Sequence, residues 1–464
     1  MSAPVLTARS IGARIDALPK VPLGAGGFIA LLLCYFFANY DISVFALIVP
    51  SLMREFQLDP VALGLPVFWN LAGYGVGAYI FGYVADRWGR QRGLLLTIVG
   101  LSVGGFLSAL SWDITSFSVF RFIAGAGMGA VLSVCSTYVS ELAPARMRGR
   151  YLAIIYTAQA VLLLIVGFAS LPVLHWGEGD GGQPFGWRVL LGFGGLVIVA
   201  VLFLHDRAMT ESPRWLVESG KPERAERNLR ILEARVGVGE MPPMDTAQLI
   251  EPLAERAAGD ARVKPMQELL RAPYAGRLAV VLSFWLFYYI AAYGWLSYTT
   301  IILGAFGISE EESLFQTVAS RTTGIIVPLL FIWLIEKVER RALVIQGAVL
   351  MIIGLLVLFL PIGNERGLLA SVIITLGISW AVTPGYIYTA EIFSTTSRGT
   401  ASSIADGVGH MGGAIAPFVV LPVLGALGGV AGVTVIIGCA VVAGGVMLFG
   451  PRTKGRTLQE ISRK

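Results

Sequence analysis

Long apolar stretches alternate with short polar turns along most of this 464-residue chain. About 20 apolar residues cross the hydrocarbon core of a bilayer as a helix, because each residue rises about 1.5 Å. Stretches of that length are found at 27–50, 65–85, 93–111, 116–140, 151–173, 188–205, 278–303, 315–335, 342–361, 368–390, 400–424 and 428–449. Lipid offers the backbone no hydrogen-bond partners, so each stretch must be a helix. The pattern predicts an all-α membrane protein with twelve transmembrane helices.

A charged pattern on the turns occurs twice, at a constant offset of 250 positions. Its two copies are Asp86, Arg90, Glu141 and Arg148-Gly149, then Glu336, Arg340, Glu391 and Arg398-Gly399. Acid-then-base turns are common between membrane helices, so chance is the alternative. Repetition at one offset favours a transporter built from two related halves. We predict two pseudo-symmetric six-helix bundles, 1–206 and 273–464, joined by a polar segment at 207–272 that carries short surface helices.

Composition and charge narrow the class further. With 55% hydrophobic and 14% charged residues, the chain is far more apolar than a soluble protein. The turns on one side are basic and those on the other side carry acids, so both termini and 207–272 are expected to be cytoplasmic in the inner (plasma) membrane. The net charge of +5 then reflects topology, and no nucleic-acid partner is expected. Three scattered cysteines indicate packing, since they fit neither a disulfide framework nor a metal site.

Four motifs are informative, and the first of them is the strongest local signal. They are Gly82-Tyr-Val-Ala-Asp86-Arg87-Trp-Gly89-Arg90-Gln-Arg92, Glu141-Leu-Ala-Pro-Ala-Arg-Met-Arg148-Gly149-Arg150, Glu211-Ser-Pro-Arg214-Trp-Leu and Lys454-Gly-Arg456-Thr-Leu-Gln-Glu460-Ile. In the first, Gly82 allows close helix approach, and Asp86 is placed to face the positive end of a helix dipole. A simple basic turn on the cytoplasmic side is the alternative interpretation.

Through these motifs the chain resembles the major facilitator superfamily over essentially its whole length. The resemblance is to the branch of sugar porters, metabolite–proton symporters and organic ion transporters. It implies a rocker-switch fold with substrate bound between the halves, and cytoplasmic ion pairs between the halves that hold the outward-open state. Those gate roles fall on Asp86, Arg90, Glu141, Arg148, Arg150, Glu211, Arg214, Glu336, Arg340, Glu391 and Arg398. The second copy departs from the pattern, because Glu339 stands where the first has Gly89.

Two charges lie well inside predicted helices, Asp41 in the first and Arg121 in the fourth. Membrane charges usually face a bundle interior or a cavity. Both fall in the outer half of the membrane, within about two helical turns in depth, so each is a candidate partner for the other. Losing the arginine in a dry site would favour protonation of the acid. The pair is therefore a candidate proton-coupling switch, a role that the resemblance also implies; a fixed structural ion pair is the alternative.

Arg321 in the eighth span breaks the symmetry, because Leu71 is its counterpart at the same offset. A lone guanidinium facing the cavity suits a carboxylate, since it binds two oxygens at once. The competing interpretation is that it extends to the outer surface, close to Glu311 and Glu312.

Aromatic residues of the seventh span suit a ring or an apolar organic body, with a bend expected at Gly294. Sugar porters carry a polar, glutamine-rich pattern there, so a hexose is disfavoured. Candidate substrate contacts are Trp285, Tyr288, Tyr289, Tyr293, Asn70, Gln159, Tyr386, Tyr388, Asp406 and His410. The pair Asp406 and His410, one turn apart, is a candidate site for a proton or a substrate donor.

The sequence thus predicts a monomeric secondary transporter that takes up a small organic anion, an aromatic or other carboxylate, together with protons. A proton-coupled polyol or sugar-like carrier, or an exporter, is the alternative, and a non-transporting receptor is a third possibility. An enzyme is not expected, because the histidines join no nucleophile motif. No cofactor or metal is predicted. The cytoplasmic segment has no phosphate-binding Gly-Lys-Ser/Thr loop, so ATP-driven transport is not expected.

Overall fold

A computed structural model describes residues 8–176, 185–205, 208–238, 265–335, 337–394 and 397–453, and in these ranges the chain is helical with no β-strand. The α-helices are α1 (Ala8–Asp16), α2 (Ala25–Phe56), α3 (Gly64–Trp88), α4 (Arg90–Ala109), α5 (Ile114–Leu142), α6 (Ala145–Leu174), α7 (Gly186–Gly195), α8 (Pro213–Glu218), α9 (Pro222–Arg235), α10 (Pro265–Leu269), α11 (Tyr274–Leu296), α12 (Thr299–Ala305), α13 (Glu310–Ser320), α14 (Thr323–Leu334), α15 (Arg340–Val357), α16 (Glu365–Glu391) and α17 (Arg398–Val446). Short 3₁₀ segments, Leu196–Phe203 and Met447–Phe449, extend α7 and α17.

The helices account for the twelve predicted spans. Ten helical stretches in the described part are long and apolar enough to cross a membrane. One of them, Arg398–Phe449, is long enough for two passes and is interrupted at Gly428, whose φ of 83° lies outside the helical region. The 25-residue α3 supplies the remaining span. The all-helical membrane fold predicted from the sequence is confirmed.

The seventh and eighth spans are both broken, and the predicted position of the first break is wrong. Helix α11 continues through Gly294 to Leu296, and the break lies at Ser297 and Tyr298. A Cβ atom on Gly294 would lie 3.2 Å from the Val420 side chain, so this glycine permits close packing and does not bend the chain. The eighth span breaks at Arg321, between α13 and α14.

Glycines set the distance between neighbouring helices of the first half. A Cβ atom on Gly77 of α3 would lie 1.8 Å from the carbonyl oxygen of Ala126 on α5. On α5, a Cβ atom on Gly125 would lie 1.9 Å from the carbonyl oxygen of Asn70. These positions require glycine, as expected where membrane helices approach backbone to backbone.

The same glycine contacts recur in the second half at the offset of 250. The matched pairs are Gly104 with Ala124 and Gly127 with Leu101 between α4 and α5, then Gly354 with Ile374 and Gly377 with Met351 between α15 and α16. Each residue of the second set is its counterpart plus 250. The repeat seen in the turns therefore extends into the helix packing, which supports the pseudo-symmetry of the two halves.

The halves touch away from their basic turns. We call the end with the turns at 87–92, 144–150 and 337–341 the basic end, and the other the opposite end. At the opposite end, Arg54 Nη1 lies 2.6 Å from Glu310 Oε2. Nearby, the hydroxyl of Tyr298 donates to the Leu63 carbonyl at 3.2 Å. These contacts close the space between the halves on that side.

We expect Gly77→Ala to destabilise the protein by about 1–3 kcal/mol, the usual cost of overpacking, because its methyl group would collide with the backbone of α5. Gly75→Ala on the same helix is the matched control, since a Cβ atom at that position would have no neighbour within 4 Å. Alanine favours helix over glycine, so the control should not lose stability. Thermal unfolding in detergent measures both, and equal melting temperatures would contradict the packing argument.

Candidate functional site

Asp41 of α2 and Arg121 of α5 form a buried, two-point ion pair. Arg121 Nη1 donates to Asp41 Oδ1 at 2.6 Å, and Nη2 donates to Oδ2 at 2.7 Å. The side chains are only 2% (Arg121) and 6% (Asp41) exposed. Asn70 donates to the carbonyl of Arg121 at 3.1 Å and so ties α3 to the same point. The predicted proximity is present, and the guanidinium is neutralised by its partner.

A small cavity adjoins this pair and is bounded by both halves. It is lined by Ile42, Phe45, Val67, Asn70, Leu71, Arg121, Tyr293 and Ser297. The candidate proton-coupling arginine and one of the α11 tyrosines therefore face the same space. The family resemblance implies a substrate site between the halves, so this space is a candidate position for it.

On α17, Asp406 and His410 belong to a hydrogen-bonded aromatic cluster. Asp406 Oδ1 accepts from the Tyr386 hydroxyl at 2.7 Å, and the Tyr289 and Tyr386 hydroxyls are 2.8 Å apart. The Nδ1 atom of His410 lies 2.9 Å from the carbonyl of Asp406. Because the Asp406 side chain is 32% exposed and Tyr386 is 41% exposed, the cluster stays accessible.

The predicted aromatic residues do not all face this cluster. Trp285 packs on Tyr289 and Tyr386, with ring centroids 5.4 and 4.4 Å apart. Tyr288 is instead buried against α16 and donates to the carbonyl of Ile378 at 2.7 Å. Tyr388 is directed to the basic end, where it donates to the carbonyl of Pro451 at 3.0 Å. Tyr388 is thus outside this cluster, and Tyr288 contributes only its ring, whose centroid lies 5.8 Å from that of Trp285 and 5.5 Å from that of Tyr289.

Arg321 occupies the break between α13 and α14, in the interior of the eighth span. Its side chain is half-buried, and within the described ranges no hydrogen bond or ion pair of its guanidinium is found. Gln159 on α6 is also buried, at 8% exposure, and its Oε1 atom has no hydrogen-bond partner there. Both side chains thus keep polar groups available for a ligand.

At the basic end, the predicted gate residues of the first half form a network within that half. Arg90 Nη2 donates to Glu141 Oε1 at 2.8 Å, and Arg90 also pairs with Asp86 one turn earlier. Glu211 accepts the backbone N–H of Arg90 at 2.9 Å. Burial raises the pKa of Glu211, and its hydrogen bonds with backbone N–H groups oppose that shift.

The other first-half gate residues are held apart from this network. Arg148 donates to the Ala143 carbonyl at 2.9 Å and lies 3.4 Å from Asp16 on α1. Arg150 is exposed. Arg214 packs against α1, where a Cβ atom on Gly12 would lie 3.3 Å from Arg214 Nη2.

The second half repeats the arrangement more loosely. Arg340 Nε lies 3.3 Å from Glu391 Oε1, whereas two nitrogens of Arg398, Nε and Nη2, have no hydrogen-bond partner in the described chain. Glu336 lies outside the described residues. Glu339, which replaces the glycine of the first copy, accepts the backbone N–H of Thr453 at 2.9 Å. In this conformation no described ion pair joins gate residues of different halves, so the lock between halves at the basic end stays a prediction for another conformation.

The sequence interpretation missed three residues. Tyr74 on α3 stacks on His410 across the two halves, with ring centroids 4.0 Å apart. The ion pair of Arg54 and Glu310 joins the halves at the opposite end. Both contacts connect segments hundreds of positions apart, and nothing in the local pattern of either segment marks them.

The family model and the similar proteins agree on one family. The family described as "Sugar (and other) transporter" matches residues 26–464. The niacin transporter NiaP of Acinetobacter baylyi is 25% identical over 473 residues, covering 96% of this chain and 99% of the relative. The glucose transporter GlcP of Staphylococcus epidermidis is 25% identical over 436 residues, covering 91% and 93%.

Solved structures agree with that result at the level of the fold. An inward-open conformation of the xylose transporter XylE from E. coli aligns with a TM-score of 0.73 and 21% identity, covering 94% of this chain and 98% of that one. At this identity the likeness speaks for the fold alone. The chain therefore belongs to the sugar (and other) transporter family, and it is a multi-pass membrane transporter of the major facilitator superfamily.

Proposed function

We propose that this protein takes up a small organic anion, an aromatic or other monocarboxylate, together with protons by rocker-switch alternating access. The observation that carries the proposal is the contrast between Arg121 and Arg321, which lie inside the fourth and the eighth span. Arg121 is neutralised by Asp41, whereas the described residues provide no acid for Arg321. An uncompensated charge inside a membrane is costly. A substrate carboxylate would supply the missing partner, with both of its oxygens held by one guanidinium.

The aromatic residues support a substrate with a ring. Trp285, Tyr289, Tyr293 and Tyr386 form one connected group beside the cavity. Niacin, named for one relative, is an aromatic carboxylic acid and combines the two features that Arg321 and the aromatic group would recognise.

The second candidate is a proton-coupled carrier for a polyol or a sugar-like compound. The name of the glucose-transporting relative favours it, as does the description of the family. Asn70, Gln159 and Asp406 would then bind hydroxyl groups, and Arg321 would be structural. Export in place of uptake is compatible with the same residues.

Proton coupling would use the ion pair of Asp41 and Arg121. While the two are bonded, the carboxylate stays ionised. When the halves rock and the guanidinium withdraws, the carboxylate is left in an apolar site that favours its protonation. The proton then moves with the substrate, and re-formation of the ion pair releases it on the other side.

Orientation follows from the basic turns. By the positive-inside bias the basic end is cytoplasmic, which places both termini and 207–272 there in a monomer of the inner membrane. The contacts at the opposite end then close the outer side, and Asp406 is reached from the cytoplasm. In the outward-open state, the gate residues Asp86, Arg90, Glu141 and their second-half counterparts would exchange partners across the cytoplasmic gap.

We expect carboxylates to raise the melting temperature of the purified protein more than sugars, polyols or amines do. Arg321→Ala should lower carboxylate affinity about ten- to hundredfold, the loss expected for charged hydrogen bonds. Arg321→Lys should recover only part of it, since lysine is not bidentate. Arg271→Ala, at an exposed position before α11, is the control. Stabilisation only by neutral polyols would overturn the anion proposal.

We expect Asp41→Asn to abolish accumulation driven by a pH gradient in proteoliposomes, because the amide takes up no proton. Counterflow exchange, which needs no net proton movement, should survive and shows that the variant is folded. Asp41→Glu should retain accumulation at a reduced rate, since it keeps the acid. Undiminished concentrative uptake by Asp41→Asn would remove Asp41 from the coupling mechanism.

A further inference from the structure

The imidazole of His410 contacts two tyrosine rings that belong to different halves of the transporter. Its centroid is 4.0 Å from that of Tyr74 on α3, and the two planes are nearly parallel at 11°. Tyr289 of α11 has its centroid 5.0 Å from that of the imidazole, with the planes tilted by 35°. The imidazole of α17 thus joins aromatic residues of both halves.

The imidazole is held from its own helix. Its Nδ1 atom lies 2.9 Å from the carbonyl of Asp406 and 3.6 Å from the Asp406 carboxylate. The contact with Tyr74 is face to face, and the contact with Tyr289 is tilted by 35°. A rotation of the His410 side chain would therefore open a gap beside both tyrosine rings, without breaking a hydrogen bond to either of them.

Glycines on the neighbouring turns of α17 allow the tyrosine rings beside this gap to pack against the helix backbone. A Cβ atom on Gly409 would lie 2.4 Å from Cδ2 of Tyr289. At Gly413 it would lie 2.7 Å from Cδ2 of Tyr293 and 3.0 Å from Leu71. The tyrosine rings thus lie directly on the helix backbone, and their positions are fixed by contact.

We propose that the gap beside Tyr74 and Tyr289 binds the flat ring of an aromatic substrate, and that the His410 imidazole occupies it while substrate is absent. This assignment rests on the proposed function and narrows its substrate class to planar aromatic carboxylates. A flat aromatic ring would stack on the tyrosines, whereas a saturated ring has no π-face for such a contact. Tyr74 becomes the first-half residue that determines specificity.

The charge at the edge of the gap restricts how the substrate is oriented. The Asp406 carboxylate, which accepts from Tyr386 at 2.7 Å, lies beside the imidazole. A substrate carboxylate placed there would meet a like charge. The substrate therefore directs its carboxylate away from Asp406, and a hydrogen-bond donor on the opposite ring edge fits beside Asp406.

The test compares benzoate with cyclohexanecarboxylate on the purified full-length protein, because the two carry the same charged group on a flat and on a puckered ring. Dissociation constants come from calorimetry or thermal-shift titration. We expect benzoate to bind about tenfold more tightly, the size of one ring-stacking contact. Equal affinities would overturn the assignment while leaving the carboxylate function intact.

Variants separate stacking from general destabilisation. Tyr74→Leu should remove the preference for benzoate, and Tyr74→Phe should keep it. Tyr79→Leu, the same change at a tyrosine of α3 that is 79% exposed, should alter neither affinity. His410→Ala should strengthen benzoate binding severalfold, because the gap is then vacant. Weaker binding in His410→Ala would show that the imidazole is a ligand and would overturn its role as occupant.

A neutral pair of probes keeps the two proposals distinguishable. Benzyl alcohol and cyclohexylmethanol differ in ring shape as the two acids do, but carry no charge. If carboxylates fail to bind and benzyl alcohol is preferred over cyclohexylmethanol in a Tyr74-dependent way, the anion function fails and the ring site stands. If neither pair shows a preference for the flat ring, the ring site fails.

Discussion

Compensation of charge in a medium without water is the constraint on which this structure depends. Within the membrane a guanidinium must find a carboxylate, a set of carbonyl oxygens or a ligand. Arg121 is paired with the carboxylate of Asp41 at 2.6 Å, and this ion pair links α2 to α5 in the first half. Arg321 lies in the second half at a helix break. In this conformation Arg121 is thus paired with an acid, whereas the described residues provide no acid for Arg321.

Features that repeat along the chain were predictable from sequence alone. Hydropathy predicted the transmembrane helices, because within lipid only a helix satisfies the hydrogen-bonding groups of the backbone of such a segment. The offset of 250 predicted paired halves, and the glycine contacts of Gly104 and Gly354 recur at the same offset. The proximity of Asp41 and Arg121 followed from depth, since two charges at similar height in one bundle have few other partners.

Features that depend on helix rotation or on the state of the transporter were not predictable. The sequence placed Tyr288 and Tyr388 in the cavity, but a modest difference in rotation or height directs both hydroxyls to backbone carbonyls. It expected Gly294 to bend the seventh span, whereas that glycine accommodates Val420. It also paired gate residues across the halves, which depends on which end is closed. A motif identifies the residues of a gate but does not show in which conformation they are in contact.

The two halves contribute different chemistry to the shared cavity. The first supplies the paired Arg121 and the amide of Asn70, and the second supplies Tyr293 and Ser297. Tyr74 reaches from α3 to the imidazole of α17. A substrate that needs both sets of groups is bound fully only when the halves come together around it. Binding energy is then available to drive closure, since the closed state alone makes all of the contacts. A tightly held ion pair in one half and an adaptable ring site in the other would thus couple proton movement to substrate movement through the same closure.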